Sequence, residues 1–183
     1  MGRAVIVSYA RTGLAKSGRG GFNDTHGAAM TGHAIKHAVA RSKLDPAEIE
    51  DVVIGCGAPE GATGQNIARL SLVRAGLPVT TSGATINRFC SSGLQAIAQA
   101  CHYIMHEGAK AAIGGGVESI SLVQLSGHAN RYRITEEELM KTKPELWMTM
   151  IETADIVAKR YKVSRDYQDE YSLRSQQHIA AAQ

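Results

Sequence analysis

The sequence predicts an α/β layer on a largely parallel sheet, with helical material after it. Two observations carry this expectation. Short apolar runs rich in β-branched residues alternate with helical periodicities over residues 4–116, and beyond residue 117 the strand signals stop. Composition agrees, because 44% of the 183 residues are apolar and 20% are charged, enough to bury a core and too apolar for disorder.

Residues 4–9 (AVIVSY) form a compact run suited to a strand buried on both faces, and a loop over 11–23 punctuated by Gly13, Gly18, Gly20 and Gly21 follows. Apolar positions Ala28, Ala29, Ile35, Ala38 and Val39 predict a helix over 25–42, ended by Leu44, Asp45 and Pro46. A second strand is expected at 51–55 (DVVIG). A helix over 65–75 should stop at Gly76, with Pro78 close behind. A strand over 80–86, a helix over 91–106 and a strand over 109–113 complete the layer. Residues 117–149 read as irregular. Helices are then expected over 151–161 and 164–183, the second N-capped by Ser164 and lacking a stop signal before Gln183, as in a chain that ends inside an element.

The formal charge of +3 is too small to imply nucleic acid or an anionic membrane as partner. The Lys/Arg concentration over 131–143 is interleaved with Glu136, Glu137 and Glu138, as in a solvated face or loop. Cys56, Cys90 and Cys101 form no CxxC pair and suggest a reducing compartment, so the expected location is the cytoplasm. The start is too short for a secretory apolar region, Ile6 breaks the myristoylation pattern, and no stretch is long enough to span a membrane.

Cys90 is the residue best placed for chemistry. It lies where a strand is expected to end and a helix to begin, with Leu94, Ile97, Ala98, Cys101, Ile104 and Met105 as that helix's apolar stripe. Unpaired backbone N–H groups and the positive end of the helix dipole favour a thiolate there. The same donors could stabilise an oxyanion on a thioester carbonyl, and Ser91, Ser92 and Gly93 leave room for an acyl group. The plainer reading is a small buried hydrophobe. His33/His37 and His102/His106 are i,i+4 pairs, a zinc-compatible spacing, but neither is HExxH and no third ligand follows; half-buried or polar-face histidines, and no metal, are expected. His26, His128 and His178 carry no pattern. Gly55, Gly57 and Gly61 form a loosened dinucleotide fingerprint in which Pro59 and Glu60 fit poorly, and Gly114 to Gly116 suit close backbone packing.

The segment NRFCSSGLQAIAQACHYI resembles the acyl-enzyme segment of the thiolases, the acetyl-CoA acetyltransferases and acyltransferases. Ala10 to Gly13 resembles the family's R-T-P loop, with Gly13 in place of Pro. Residues 55–61 and 64–69 resemble its second strand and following helix, residues 115–121 its GG-x-E-S-M-S segment, and residues 163–169 with 175–177 its loop-domain helix. The resemblance implies a thiolase-like N-terminal half over 1–120, a mixed and largely parallel sheet with helices on both faces, followed over 121–183 by part of a helical loop domain. It implies acyl transfer between CoA thioesters, 3-ketoacyl-CoA thiolysis or acetyl-CoA condensation, with Cys90 as the acylated nucleophile and the degradative type favoured by residues 143–147.

Coenzyme A and acyl-CoA are then substrates, with no bound cofactor. Residues 147–155 resemble the family's M-G-x-T-A-E segment, which maps a substrate-contacting Met onto Met150, although Ile151 stands where the family has Gly. The family's base and histidine belong to a second half that nothing in these residues matches. The resemblance therefore implies that this chain alone is catalytically incomplete and poorly soluble, that a C-terminal half is its partner, and that the parent is a homodimer or homotetramer. Two other readings stand beside it: a non-catalytic acyl-binding or subunit module, and a dinucleotide-binding α/β protein.

Overall fold

The computed structural model describes residues 2–127 and 129–183; His128 lies outside the described residues. The chain divides into two compact units, one through Asn130 and one from Arg131.

The first unit holds helix α1 (Gly27–Ser42), strand β1 (Ile49–Gly55), α2 (Ile67–Ala75), β2 (Ser82–Ile86), α3 (Ser92–His102), β3 (Ala111–Gly116) and the short α4 (Ile120–Val123). The sheet is parallel in the order β2-β1-β3, with Val52 opposite Gly83 on one side and Val53 opposite Gly114 on the other. β1 is therefore central, and Val52, Val53 and Ile54 are all buried, as a strand covered on both faces requires. Alternation assigns the two faces. A Cβ on Gly83, in register with Val52, would meet Leu72 of α2, whereas one on Gly114, in register with Val53, would fall 2.6 Å from the Ile97 Cα of α3. So α2 covers one face and α3 the other. Val52, Ile54 and Cys56 join Ile35, Ile67, Ala68 and Leu72 in the core on the α2 side.

Local chemistry explains the helix ends. The His26 ring accepts from the Ala28 N–H and caps α1, and Asn66 accepts from the Arg69 N–H to cap α2. Gly76 closes α2 in the left-handed conformation at φ 86°. A π-helical turn, Tyr103–Glu107, ends α3 at Gly108.

Residues 4–9 depart from the expected strand. They join no ladder among the described residues, and Val5, Ile6 and Val7 are 69%, 77% and 63% exposed. The segment is instead tied to α1, where Ser8 Oγ donates to the Ala38 carbonyl at 2.7 Å and Arg41 donates to the Tyr9 carbonyl at 2.9 Å. β-branched residues favour extended backbone, but a strand exists only where a neighbouring strand accepts its hydrogen bonds.

The second unit holds α5 (Glu137–Thr142), α6 (Met150–Arg160) and α7 (Arg165–Ala182). The expectation of irregular structure over 117–149 is corrected by α4 and α5, each nucleated by a local cap. Ser119 Oγ accepts from the Leu122 N–H, and the Glu136 carboxylate accepts from the Glu138 and Leu139 N–H groups. Those bonds hold the Glu136 carboxyl below its ordinary range. Ser164 caps α7 by accepting from the Tyr167 N–H, as the sequence predicts.

Candidate active site

All three strands run parallel, so the loops leaving Gly55, Ile86 and Gly116 emerge at one edge of the sheet. In parallel sheets of this kind, sites gather at the carboxyl ends of the strands. The three loops bring together Cys56–Ala58, Asn87–Cys90 and Val117–Ser119.

Cys90 lies in a 3₁₀ turn, Phe89–Ser91, that leads directly into α3, and its side chain is exposed. The plainer reading of a buried hydrophobe therefore does not describe it. Phe89, immediately before it, sits in the left-handed region at φ 45°, a conformation that costs a bulky residue about 1–3 kcal/mol. Surrounding bonds hold that turn. Asn87 Oδ1 accepts from the Phe89 N–H at 2.8 Å, Ser92 Oγ donates to the Phe89 carbonyl at 2.6 Å, and the Arg88 N–H donates back to Ser92 Oγ at 2.8 Å. Ser91, the N-cap of α3, accepts no capping bond from the helix among the described residues. An oxyanion beside Cys90 would face this helix terminus, where the Ser91 side chain claims no donor but the Ser91 and Ser92 N–H groups serve the Arg88 and Phe89 carbonyls.

Close packing puts the turn there. A Cβ on Gly55 would land on the Ser92 carbonyl, and one on Gly116 would sit 3.3 Å from the Gly93 Cα. Glycines at the ends of β1 and β3 let the start of α3 lie against the sheet backbone. The expectation of close packing at Gly114 to Gly116 thus meets its contacts at Ile97 and Gly93.

Sequence reasoning missed the pairing of Glu118 with Cys56. The Glu118 carboxylate accepts from the Gly57 N–H at 2.8 Å, the Ala58 N–H at 3.1 Å and the Cys56 thiol at 3.4 Å. Burial, then the adjacent Glu118 charge, pushes the Cys56 thiol up to about 11, so this cysteine stays protonated at neutral pH. The same contacts bear on the dinucleotide reading. The strand order reverses between β1 and β3, where a pyrophosphate would sit, and the backbone donors of that crevice already serve a carboxylate of the chain.

The His33 and His37 rings lie 4.4 Å apart and those of His102 and His106 5.7 Å apart. No group of three potential ligands gathers among the described residues. Met150, in the second unit, is the first residue of α6 and is 73% exposed. It is no core residue of its own unit. No described helix is long and apolar enough to cross a membrane.

The fold is an α/β layer that presents an exposed cysteine beside a strained residue, at a helix N-terminus and on the carboxyl edge of a parallel sheet. Comparison with known proteins gives the family. The family model described as "Thiolase, N-terminal domain" matches residues 4–183, and the chain belongs to the thiolase family. It is 41% identical over 182 residues to a 3-ketoacyl-CoA thiolase of Bacillus subtilis, covering 100% of this chain and 46% of that protein. It is 36% identical over 187 residues to an acetyl-CoA acetyltransferase of Chromobacterium violaceum, covering 97% and 47%. A peroxisomal 3-ketoacyl-CoA thiolase 5 of Arabidopsis thaliana is 35% identical over 181 residues, covering 97% and 39%. The chain spans about half the length of the curated relatives it matches.

Proposed function

We propose that the protein carrying this chain transfers acyl groups between CoA thioesters through an acyl-cysteine at Cys90, with degradative 3-ketoacyl-CoA thiolysis as its main direction. The exposed thiol on the turn into α3 is the observation that carries this reading. The Cys90 thiolate attacks the keto carbon of a 3-ketoacyl-CoA, and the bond to the adjacent carbon breaks. Acetyl-CoA leaves after gaining a proton at that carbon. The thiolate of a second CoA then attacks the acyl-cysteine, forming the shortened acyl-CoA and restoring Cys90. A thioester divides the exchange into two feasible steps because sulfur both attacks and departs readily. The Cys90 N–H serves as one donor to the tetrahedral oxyanion. Met150 is proposed to touch the thioester group of substrate. The base and histidine come from a C-terminal half, the assembly is a homodimer or homotetramer, and the setting is the cytoplasm.

Incubating the whole protein with acetoacetyl-CoA and mapping the peptides by mass tests the reading. Acetylation is expected on Cys90 alone, and Cys90→Ala should lower turnover on the order of 10⁴-fold or more. Acylation that persists in Cys90→Ala would overturn the proposal. Binding of acyl-CoA with no thioester on Cys90 would favour a non-catalytic acyl-binding module.

A further inference from the structure

We propose that Asn87 and Glu118 are positioning residues for Cys90, acting as a two-step brace that runs from the loop after β3, through the loop after β1, to the turn after β2. The inference rests on Cys90 being the nucleophile, as proposed above.

Each link is a short contact between different loops. The Glu118 carboxylate spans the N–H groups of Gly57 and Ala58, fixing the first residues beyond β1. A Cβ on Gly57 would approach Glu118 Oε2 to 3.0 Å, so the carboxylate would have to give by a few tenths of an ångström. The Gly57 carbonyl, oriented by that clamp, accepts from Asn87 Nδ2 at 3.2 Å. The other end of the same amide accepts from the Phe89 N–H at 2.8 Å. Asn87 therefore satisfies a carbonyl on the sheet side and an N–H on the turn side at once, and a carboxylate at this position, having no donor, could not reproduce both.

The brace ends on the residue that needs one. Phe89 holds a left-handed φ of 45° that an unrestrained phenylalanine would leave, and Cys90 follows it directly. Ser92 pins the turn from the α3 side, through bonds to Phe89 and Arg88. Asn87 supplies the opposing restraint from the sheet side. Without it, the turn can relax toward ordinary backbone angles and carry Sγ off its line of attack, and a displacement of about 1 Å at a reacting atom can cost on the order of a hundredfold in rate.

The test uses the whole protein with Asn87→Ala, Asn87→Ser and Glu118→Gln. Three readouts are taken: kcat and KM for acyl transfer, the rate at which iodoacetamide labels Cys90 at fixed pH, and the melting temperature. Asn87→Ala and Glu118→Gln should lower kcat about tenfold or more while KM stays within about twofold, the signature of lost alignment rather than lost binding. Labelling of Cys90 should slow several-fold as the thiol leaves its place at the helix terminus. Asn87→Ser can still accept from the Phe89 N–H in a hydroxyl turn, so it should recover part of the loss. Wild-type kcat and labelling in both Asn87→Ala and Glu118→Gln would overturn the brace. So would losses that only track the folded fraction, with Asn87→Ser no better than Asn87→Ala. A wild-type protein that never acylates Cys90 refutes the acyl-transfer reading instead, and the labelling rates still judge the brace, with unchanged or faster labelling counting against it.

Discussion

Gly55 and Gly115 lie at the same edge of the sheet and face opposite fates on substitution. A Cβ at Gly55 would collide with the Ser92 carbonyl and come within 2.6 Å of the Gly93 backbone nitrogen, so no flexible side chain can move aside. A Cβ at Gly115 meets only the Ile54 Cδ1 at 3.5 Å, an ordinary contact. Gly55→Ala should therefore destabilise the protein by about 3 kcal/mol, the upper range for overpacking, and displace the turn that carries Cys90. Gly115→Ala should stay within about 1 kcal/mol of wild type. Urea denaturation of both variants decides the matter, and equal midpoints would show that α3 does not rest on Gly55. Single residues differed in how far the sequence disclosed them. The placement of Cys90 between a strand and a helix was legible because its signal is local: a strand end, three small residues and an apolar stripe within one short segment. The contact of Glu118 with Gly57 was not, because the partners stand 61 positions apart and meet only once β1 and β3 are paired.

At the scale of elements, the start of α6 is closed by a reciprocal cap. Thr149 Oγ1 accepts from the Glu152 N–H at 3.2 Å, and Glu152 Oε2 accepts from the Thr149 N–H at 2.9 Å. The Thr149 N–H first, and then the Thr149 hydroxyl, which donates to Glu152 Oε2 at 2.8 Å, hold the Glu152 carboxyl below its ordinary 4.5. A group whose folded value is depressed adds stability above its unfolded value and loses it as pH falls through the folded one. The cap should thus be intact at neutral pH and weaken progressively below about pH 4.5. Glu152→Gln should flatten that acid-side loss in α6, read from the amide exchange of its first turn. Thr149→Ala should cost the helix about 1 kcal/mol at neutral pH. An unchanged acid profile in Glu152→Gln would mean that the carboxylate does not support the helix. Helices such as α2, α6 and α7 were legible because their periodicity and stop signals, or their caps, lie within a few residues. The segment 4–9 was misread as a strand for the opposite reason: its β-branched residues specify extension, but pairing depends on a neighbour that no local pattern encodes.

For the molecule as a whole, the apolar surface the 183 residues leave uncovered dictates their behaviour alone. In the first unit Val5, Ile6, Val7, Phe89 and Leu94 are each at least 63% exposed, and β2 and β3 are open sheet edges among the described residues. In the second unit α5, α6 and α7 contribute no buried residue, although Ile151, Val157, Tyr171 and Leu173 lie along them. Covering a Val or Ile side chain is worth about 1.5–3 kcal/mol, so the 4–9 segment alone gives a strong incentive to associate. Unpaired sheet edges add a template for it. Produced as an isolated polypeptide, the chain should self-associate with rising concentration and bind an apolar dye. Light scattering behind size-exclusion chromatography measures the mass. Replacing Val5 and Val7 with Lys should shift the distribution toward monomer without lowering the melting temperature, because neither side chain is in the core. A monodisperse monomer across the concentration range would show instead that these surfaces are tolerated in water, and that residues 4–9 need no covering partner.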